Sequence, residues 1–441
     1  MDFSSLLLIL VVTIFVVVLF NSNYIKGLQW SLLFLIVLPQ YIGIHFGGAF
    51  PVLTIHRIIV IISIIYWLSQ KEVNKSKVPL MGIFVLIVLA NTVSLLQAPF
   101  FTDCLKKYLA FIIEGIVFFS ILVTSLKNEA DIKKTLRYIY MAIFITAVMG
   151  FFERYTGIKP ILLFPSFESL AVGRGLLSTF SHPIMFGVAM AIGLIISVHY
   201  LSLMSKDISK TILWIGVLLM GSCLYFTVKR GAWLAAMIGL VSMFFLSSGR
   251  MKGKIALIIL FPLMVVLINP GVLGTITDTY ETTMDDSSLR GASFTYRLEL
   301  WNVAYSEIKK STERMAFGYG FNYHANVDFY REFELIEGRR SHFTSWDSEF
   351  ATLLLENGIV GLFLHVVLYI TMLWYLFKKI FVFRKQEPYF MPCIFSSVLA
   401  IVFMMTNVKM FSPQIMFIFY SMVAIGLNYE PKLSEANDKT A

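Results

Sequence analysis

Glu337-Gly338-Arg339-Arg340-Ser341-His342-Phe343-Thr344-Ser345-Trp346-Asp347-Ser348-Glu349 is dense in polar groups and gives way at once to the apolar run 350–364. Hydrocarbon accepts only backbone whose polar groups are satisfied internally, so this change marks a border between water-facing sequence and a membrane-spanning helix. Upstream, the polar sequence continues back to about Pro270, where another membrane-length apolar run ends. Water-facing chemistry belongs in this island or at the helix ends beside it.

Composition carries the same message over the whole chain. Of 441 residues, 58% are hydrophobic and 14% charged, and the mean hydropathy is +0.77. This is the composition of an all-α polytopic membrane protein. Stretches of about 17 or more apolar residues predict roughly 13 transmembrane helices, within a range of about 12 to 14. Their centres lie near Thr13, Phe34, Val60, Phe84, Gly115, Ile143, Ala191, Val217, Met237, Ile259, Phe363, Ala400 and Phe417. The expected organisation is a membrane domain over 1–269, a large external loop over 270–347, a second membrane portion over 348–427 and a disordered cytoplasmic tail over 428–441. The start, Met1-Asp2-Phe3-Ser4-Ser5, lacks the positive region and cleavage site of a secretory signal, so 6–20 reads as a retained span.

Cys104, Cys223 and Cys393 are scattered, and the sequence has no metal-ligand spacing, so neither a disulfide framework nor a metal site is indicated. The net charge of +9 sits mostly in short loops and reads as a topology signal rather than a nucleic-acid surface. Loops rich in Lys and Arg alternate: 71–77, 127–137, 206–210, 250–254 and 378–385. On the positive-inside rule these are cytoplasmic, with the C-terminus inside and the island outside. The segment around Lys106, the segment from Glu153 to His182 and the turn at Lys229-Arg230 then also face outward.

Within the island, Pro270 and Gly271 end a helix, and 275–292 reads as loop. From Thr295, the recurrence of Leu298, Trp301, Tyr305 and Ile308 predicts an amphipathic helix ending near Lys310 and lying on the membrane surface, with Arg297 in its first turn. Phe317-Gly318-Tyr319-Gly320 is a glycine-punctuated turn, and 328–336 suits a second short helix. Gly358 and Gly361 permit close helix contact in the span that follows.

Several motifs in this order resemble the O-antigen ligase and polymerase superfamily. They are Tyr296-Arg297-Leu298-x-x-Trp301, then Phe317-Gly318-Tyr319-Gly320, then Asp347-Ser348-x-Phe350-x-x-Leu353-x-x-Glu356-Asn357-Gly358-Ile359-Val360-Gly361-Leu362. Upstream, Gly173-Arg174-Gly175-Leu176-x-x-Thr179-Phe180-Ser181-His182-Pro183 and Val228-Lys229-Arg230-Gly231-Ala232-Trp233-Leu234 resemble two further segments of that family. The likeness covers roughly the second half of the chain; the first half matches only in hydropathy and in Arg57 at the start of a span. Two positions depart from the pattern. Asp347 stands where ligases of the family carry a histidine, which favours a polymerase, and Lys229 replaces a serine.

The resemblance implies a metal-independent glycosyltransferase without cofactor, acting outside a bacterial plasma membrane. It would move glycan from a polyprenyl diphosphate donor to a lipid-linked repeat unit, with a chain-length regulator or flippase of the same pathway as further candidate partners. Residue chemistry supports this independently. A departing diphosphate without a metal needs cations, and guanidinium forks suit its oxygens; Arg174, Arg230, Arg297, Arg339 and Arg340 are the candidates. The acceptor hydroxyl needs a proton acceptor, for which Asp347 stands first, then Glu349 and His342.

Plainer roles compete for each. Arg230 could snorkel at a span end, Arg297 could pair with Glu299 or lipid headgroups, and Arg339-Arg340 could form a solvated cluster with Glu337. Asp347 suits a helix N-cap. His342 and His324 read more readily as surface histidines, and His182 as a local packing residue before Pro183. Glu114, inside an apolar span, calls for a partner such as Arg57 or His56, or for a transport role. The expected function is therefore an O-antigen or exopolysaccharide polymerase. Ligation of finished glycan to lipid A core or another acceptor is the alternative within the same chemistry, and a lipid-linked oligosaccharide flippase or other transporter the alternative from a different class.

Overall fold

The structure is a computed structural model, and it describes residues 3–44, 52–71, 78–163, 175–203, 209–268, 289–327, 329, 346–409 and 413–431. The chain is a bundle of apolar helices. In order these are α1 (Phe3–Ser22), α2 (Tyr24–Val37), α3 (Ile55–Ser69), α4 (Met81–Leu96), α5 (Phe101–Ala110), α6 (Phe118–Ser125), α7 (Glu129–Thr156), α8 (Pro183–Ser202), α9 (Lys210–Phe226), α10 (Arg230–Leu246) and α11 (Gly249–Ile268). A π-helical segment, Phe111–Val117, joins α5 to α6. There follow α12 (Leu289–Ile308), α13 (Thr312–Phe317), α14 (Tyr323–Asn326), α15 (Glu349–Phe383), α16 (Phe390–Met404) and α17 (Pro413–Asn428). A small antiparallel pair, β1 (Gly43–Ile44) and β2 (Leu53–Thr54), leads into α3.

Every span centre expected from hydropathy falls inside one of these helices. Among the described residues, 5 helical stretches are long and apolar enough to cross a membrane: Ser4–Ser22, Phe101–Ser125, Glu129–Thr156, Pro183–Ser202 and Glu349–Phe383. The apolar helices α2, α3, α4, α9, α10, α16 and α17 are shorter. An all-α membrane protein is the architecture that results.

Burial separates the central helices from the peripheral ones. In α8, 94% of the apolar window is buried, as expected of a helix that is hydrophobic all round. It packs on α9, α10, α16 and α7. In α1 only 33% of the window is buried, and Leu6, Leu10, Ile14 and Val18 form an outward stripe suited to lipid. Local caps follow from sequence. Thr54 and Asn128 accept amide hydrogens at the starts of α3 and α7, and Gly157, at φ +72°, ends α7.

The helix after the island differs from expectation. Rather than running unbroken, α15 breaks at Gly358, whose φ of 67° and ψ of −169° lie where essentially only glycine is at ease. The break deprives the carbonyls of Leu355 and Glu356 of their usual partners further along the helix, and buried orphans of this kind cost about 1–3 kcal/mol each. The glycine turn replaces them: the amides of Tyr319 and Gly320 donate to the two carbonyls at 3.1 and 2.7 Å, and Ser94 Oγ adds a bond to Glu356 O at 2.9 Å. Such close approach needs the glycines. A Cβ on Gly318 would lie 2.5 Å from the Glu356 carbonyl carbon, and one on Gly358 would lie 2.4 Å from Ala316 O. Gly361, read as a helix-contact glycine, instead faces Asn357 of its own helix across the break, 2.3 Å from a would-be Cβ to Asn357 Cβ.

Around this junction is a second, smaller core. Tyr296, Leu300, Ala304 and Ile308 of α12 meet Tyr319, Tyr323, Phe329, Trp346 and the first limb of α15 through Ala351, Leu354 and Leu355. Here α12 begins at Leu289, earlier than the expected Thr295, so part of the anticipated loop is helical. The expected single stripe also divides: Ile308 is buried in this core, whereas Leu298, Trp301 and Tyr305 face outward. The short helix expected over 328–336 lies outside the described residues apart from Phe329.

Gly358→Ala should lower the midpoint of thermal unfolding in detergent by an amount corresponding to about 1–3 kcal/mol for the backbone alone. Gly221→Ala on α9, where a side chain would meet nothing within 4 Å, should be neutral or slightly stabilising. Equal tolerance of both would contradict the break as a structural requirement.

Candidate functional site

The motif segments, distant in sequence, converge at one end of the bundle. Gly175, at φ +117°, lies so close to the turn between α9 and α10 that a Cβ would sit 2.6 Å from Thr227 O. The Leu176 amide donates to Phe226 O at 3.4 Å. Glu153, buried near the end of α7, accepts from the amides of Leu177 and Ser178, the latter at 2.6 Å, and so holds the left-handed Ser178 (φ 52°) in place. The segment ends on His182, which caps α8 by accepting the Ile184 amide at Nδ1, 3.2 Å away. Its expected local role is thus met.

The turn beneath carries Lys229 and then Arg230, the first residue of α10; both are half-buried. Asp347 and Arg297 approach from the island side. Arg297 Nη2 lies 3.3 Å from Asp347 Oδ2, and its Nε donates to Asn407 O at 3.5 Å. The Glu349 amide bonds Met405 O at 2.9 Å, fixing the start of α15 to the end of α16. Lys229 lies in the electrostatic field of both Arg297 and Asp347; burial pushes its ammonium pKa down, and Asp347 opposes that shift. His182 lies in the field of Lys229 and Asp347 as well. The result is a cationic cluster around one carboxylate.

The N-cap expected at Asp347 is in fact Ser348, whose Oγ accepts the Ala351 amide at 3.3 Å, so Asp347 is left to engage Arg297. Arg297 pairs with Asp347 here; Glu299, the partner considered from sequence, instead accepts from Asn302. Glu349 is 2% exposed, and its charge acts on Tyr369 and Tyr420 inside the bundle. Arg174, Arg339, Arg340 and His342 lie outside the described residues.

A second charged cluster went unread in the sequence. Glu356, 1% exposed at the break in α15, receives His324 Nδ1 at 2.5 Å and lies 3.6 Å from Lys409 Nζ. Lys409 Nζ is also 3.2 Å from His324 Nε2. Burial lowers the His324 pKa; Lys409 and Lys107 push the same way, and Glu356 opposes them. His324 is thus a mostly buried group on a carboxylate, not the surface histidine expected. The Glu-Asn-Gly motif marked Glu356, but no local pattern marks His324 or Lys409. Further along, Glu114 sits in the π-helical segment and pairs with Arg57 at 2.7 Å, the partner proposed from sequence. Segments of this kind recur at functional sites.

An all-α membrane fold thus carries, at one end, a cluster of guanidinium, ammonium and carboxylate groups. Residues 215–366 match the protein-family model described as O-antigen ligase. This stretch, about a third of the chain, holds Arg230, Arg297, Asp347 and Glu356, and the match supports its likeness to the O-antigen ligase and polymerase superfamily. No curated protein matches the chain.

Removing one partner of a buried pair leaves the other uncompensated, at a cost of about 3–5 kcal/mol in the fully buried limit. Lys409→Met and Glu356→Gln should each lower stability in detergent. Combined, they should cost less than their sum, with a coupling of about 1–3 kcal/mol in a double-mutant cycle. Strict additivity would mean the contact is not formed.

Proposed function

We propose that this protein is a polysaccharide polymerase of the O-antigen or exopolysaccharide type, a metal-independent glycosyltransferase working at the outer face of a bacterial plasma membrane. In this reading the chain crosses the membrane roughly 13 times, with the island and the clustered motifs outside and the C-terminus inside. The donor is a glycan on polyprenyl diphosphate and the acceptor a lipid-linked repeat unit.

The observation that carries the reading is the Arg297–Asp347 pair in the field of Lys229, the residue that precedes Arg230 at the start of α10. As the bond from the anomeric carbon to phosphate lengthens, negative charge grows on the diphosphate. Cations already fixed in place stabilise that charge more in the transition state than in the ground state. A guanidinium can take two phosphate oxygens at once, which an ammonium cannot. Asp347 aims Arg297 at the leaving group, and Arg174, Arg339 and Arg340 are further candidates for the same anion. The acceptor oxygen attacks opposite the diphosphate, so an α-linked donor gives a β-linkage.

The deciding experiment is the size profile of polyprenyl-diphosphate-linked glycans in cells lacking the gene. Accumulated single units with long chains missing are expected; persistent long chains would mean a ligase, and units held on the cytoplasmic side a flippase. Arg230→Ala and Asp347→Ala should abolish polymer at normal protein abundance, and Arg230→Lys should recover little. Wild-type polymer from both alanine variants would refute the residue assignment, and a product with the donor's configuration would refute single displacement.

A further inference from the structure

We propose that His324, oriented by Glu356, is the group that takes the proton from the acceptor hydroxyl, an inference that rests on the transferase reading above. Asp347 is engaged with Arg297, whereas the His324–Glu356 pair has the arrangement that general-base catalysis asks for: an imidazole with one nitrogen on a buried carboxylate and the other facing away from it.

Three observations support the assignment. First, the carboxylate is held rigidly. Glu356 is 1% exposed, its own carbonyl is bound by Gly320 and Ser94, and the Asn322 amide donates to its side chain. A carboxylate at Nδ1 fixes the proton on that nitrogen and leaves the lone pair on Nε2. Second, His324 is the more open of the two, at 14% side-chain exposure against 1% for Glu356. Third, the pair adjoins the diphosphate cluster. The His324 ring lies 6.1 Å between centroids from that of Trp346, which immediately precedes Asp347. Lys409 follows two residues after Asn407, whose carbonyl holds Arg297. The base and the cation for the leaving group are thus set on either side of one short segment.

In the step itself, the acceptor O–H bond breaks and its proton passes to Nε2. The oxygen forms a bond to the anomeric carbon, and the carbon–oxygen bond to phosphate breaks with its electron pair leaving on the diphosphate. The imidazolium that forms is stabilised by Glu356. Lys409 Nζ stands 3.2 Å from Nε2 and has to withdraw before Nε2 accepts a proton. An arriving phosphate anion draws the ammonium away and couples substrate binding to release of the base.

The charged groups facing His324 are Glu356 from α15, Lys409 from the segment between α16 and α17, and Lys107 from α5, among the described residues. Because burial and the two ammonium groups lower its pKa, the imidazole is neutral at pH 7 and gains a proton only as pH falls below the usual histidine range. Activity should therefore be flat near neutrality and fall on the acid side. Removing Lys409 raises the pKa, so its loss should move that acid limb to higher pH.

The test uses purified full-length protein in lipid nanodiscs, with lipid-linked glycans extracted from cells lacking the gene as substrate and farnesyl diphosphate as a binding probe. His324→Gln should slow transfer about 100- to 10,000-fold while farnesyl diphosphate binds as in wild type. Lys409→Met should shift the acid limb upward, a response that a purely structural contact would not give and that keeps the idea testable if His324→Gln fails to fold. Wild-type rate and an intact acid limb in His324→Gln would overturn the proposal and leave the transferase reading standing, as would Asp347→Asn abolishing the acid limb in its place. Absence of transfer by the wild-type protein would overturn both.

Discussion

Two backbone carbonyls at the break in α15 organise this end of the molecule. A helix interrupted at Gly358 cannot leave Leu355 and Glu356 unsatisfied among apolar neighbours, because no water is at hand to replace the lost bonds. The amides of Tyr319 and Gly320 and the hydroxyl of Ser94 take their place. Once that exchange is made, the turn after α13 is locked to the first limb of α15. His324 is set on Glu356, and the small aromatic core of Tyr319, Tyr323 and Trp346 closes against α12. Arg297 on α12 is thereby brought to Asp347.

The charges at this end are distributed with the same economy. Each carboxylate there does something different. Glu153 holds a loop by its amides, Asp347 engages a guanidinium, and Glu356 orients an imidazole. Glu114, further along the bundle, pairs with Arg57. Burying ionised groups without partners would cost several kcal/mol each, so pairing is what permits this density of charge in so apolar a protein. Around Asp347 the cations Lys229 and Arg297 are in excess.

Much of this was legible in the chain. Apolar runs located the helices because length and hydrophobicity are properties of contiguous residues, and the motifs around Arg230, Arg297 and Asp347 marked segments that do meet. Glu114 with Arg57 was also foreseeable, since a lone carboxylate in a span demands a cation. Less legible was the division of α12 into two apolar faces, because a hydrophobic stripe does not reveal whether protein or lipid will cover it. The cap at Ser348 was missed for a similar reason: Asp347 and Ser348 are both good caps, and only the position of Arg297 decides between them.

What the sequence by itself determined, then, is the solvent each segment is suited to and the residue types available at each border, since both follow from local composition. Tertiary structure alone decided the break at Gly358 and the partnership of His324, Glu356 and Lys409. Glu356 and Lys409 stand on different helices or linkers, and His324 on a third short element. Their meeting is set by where unsatisfied backbone groups find donors, and that is a property of distances between segments that no local pattern encodes.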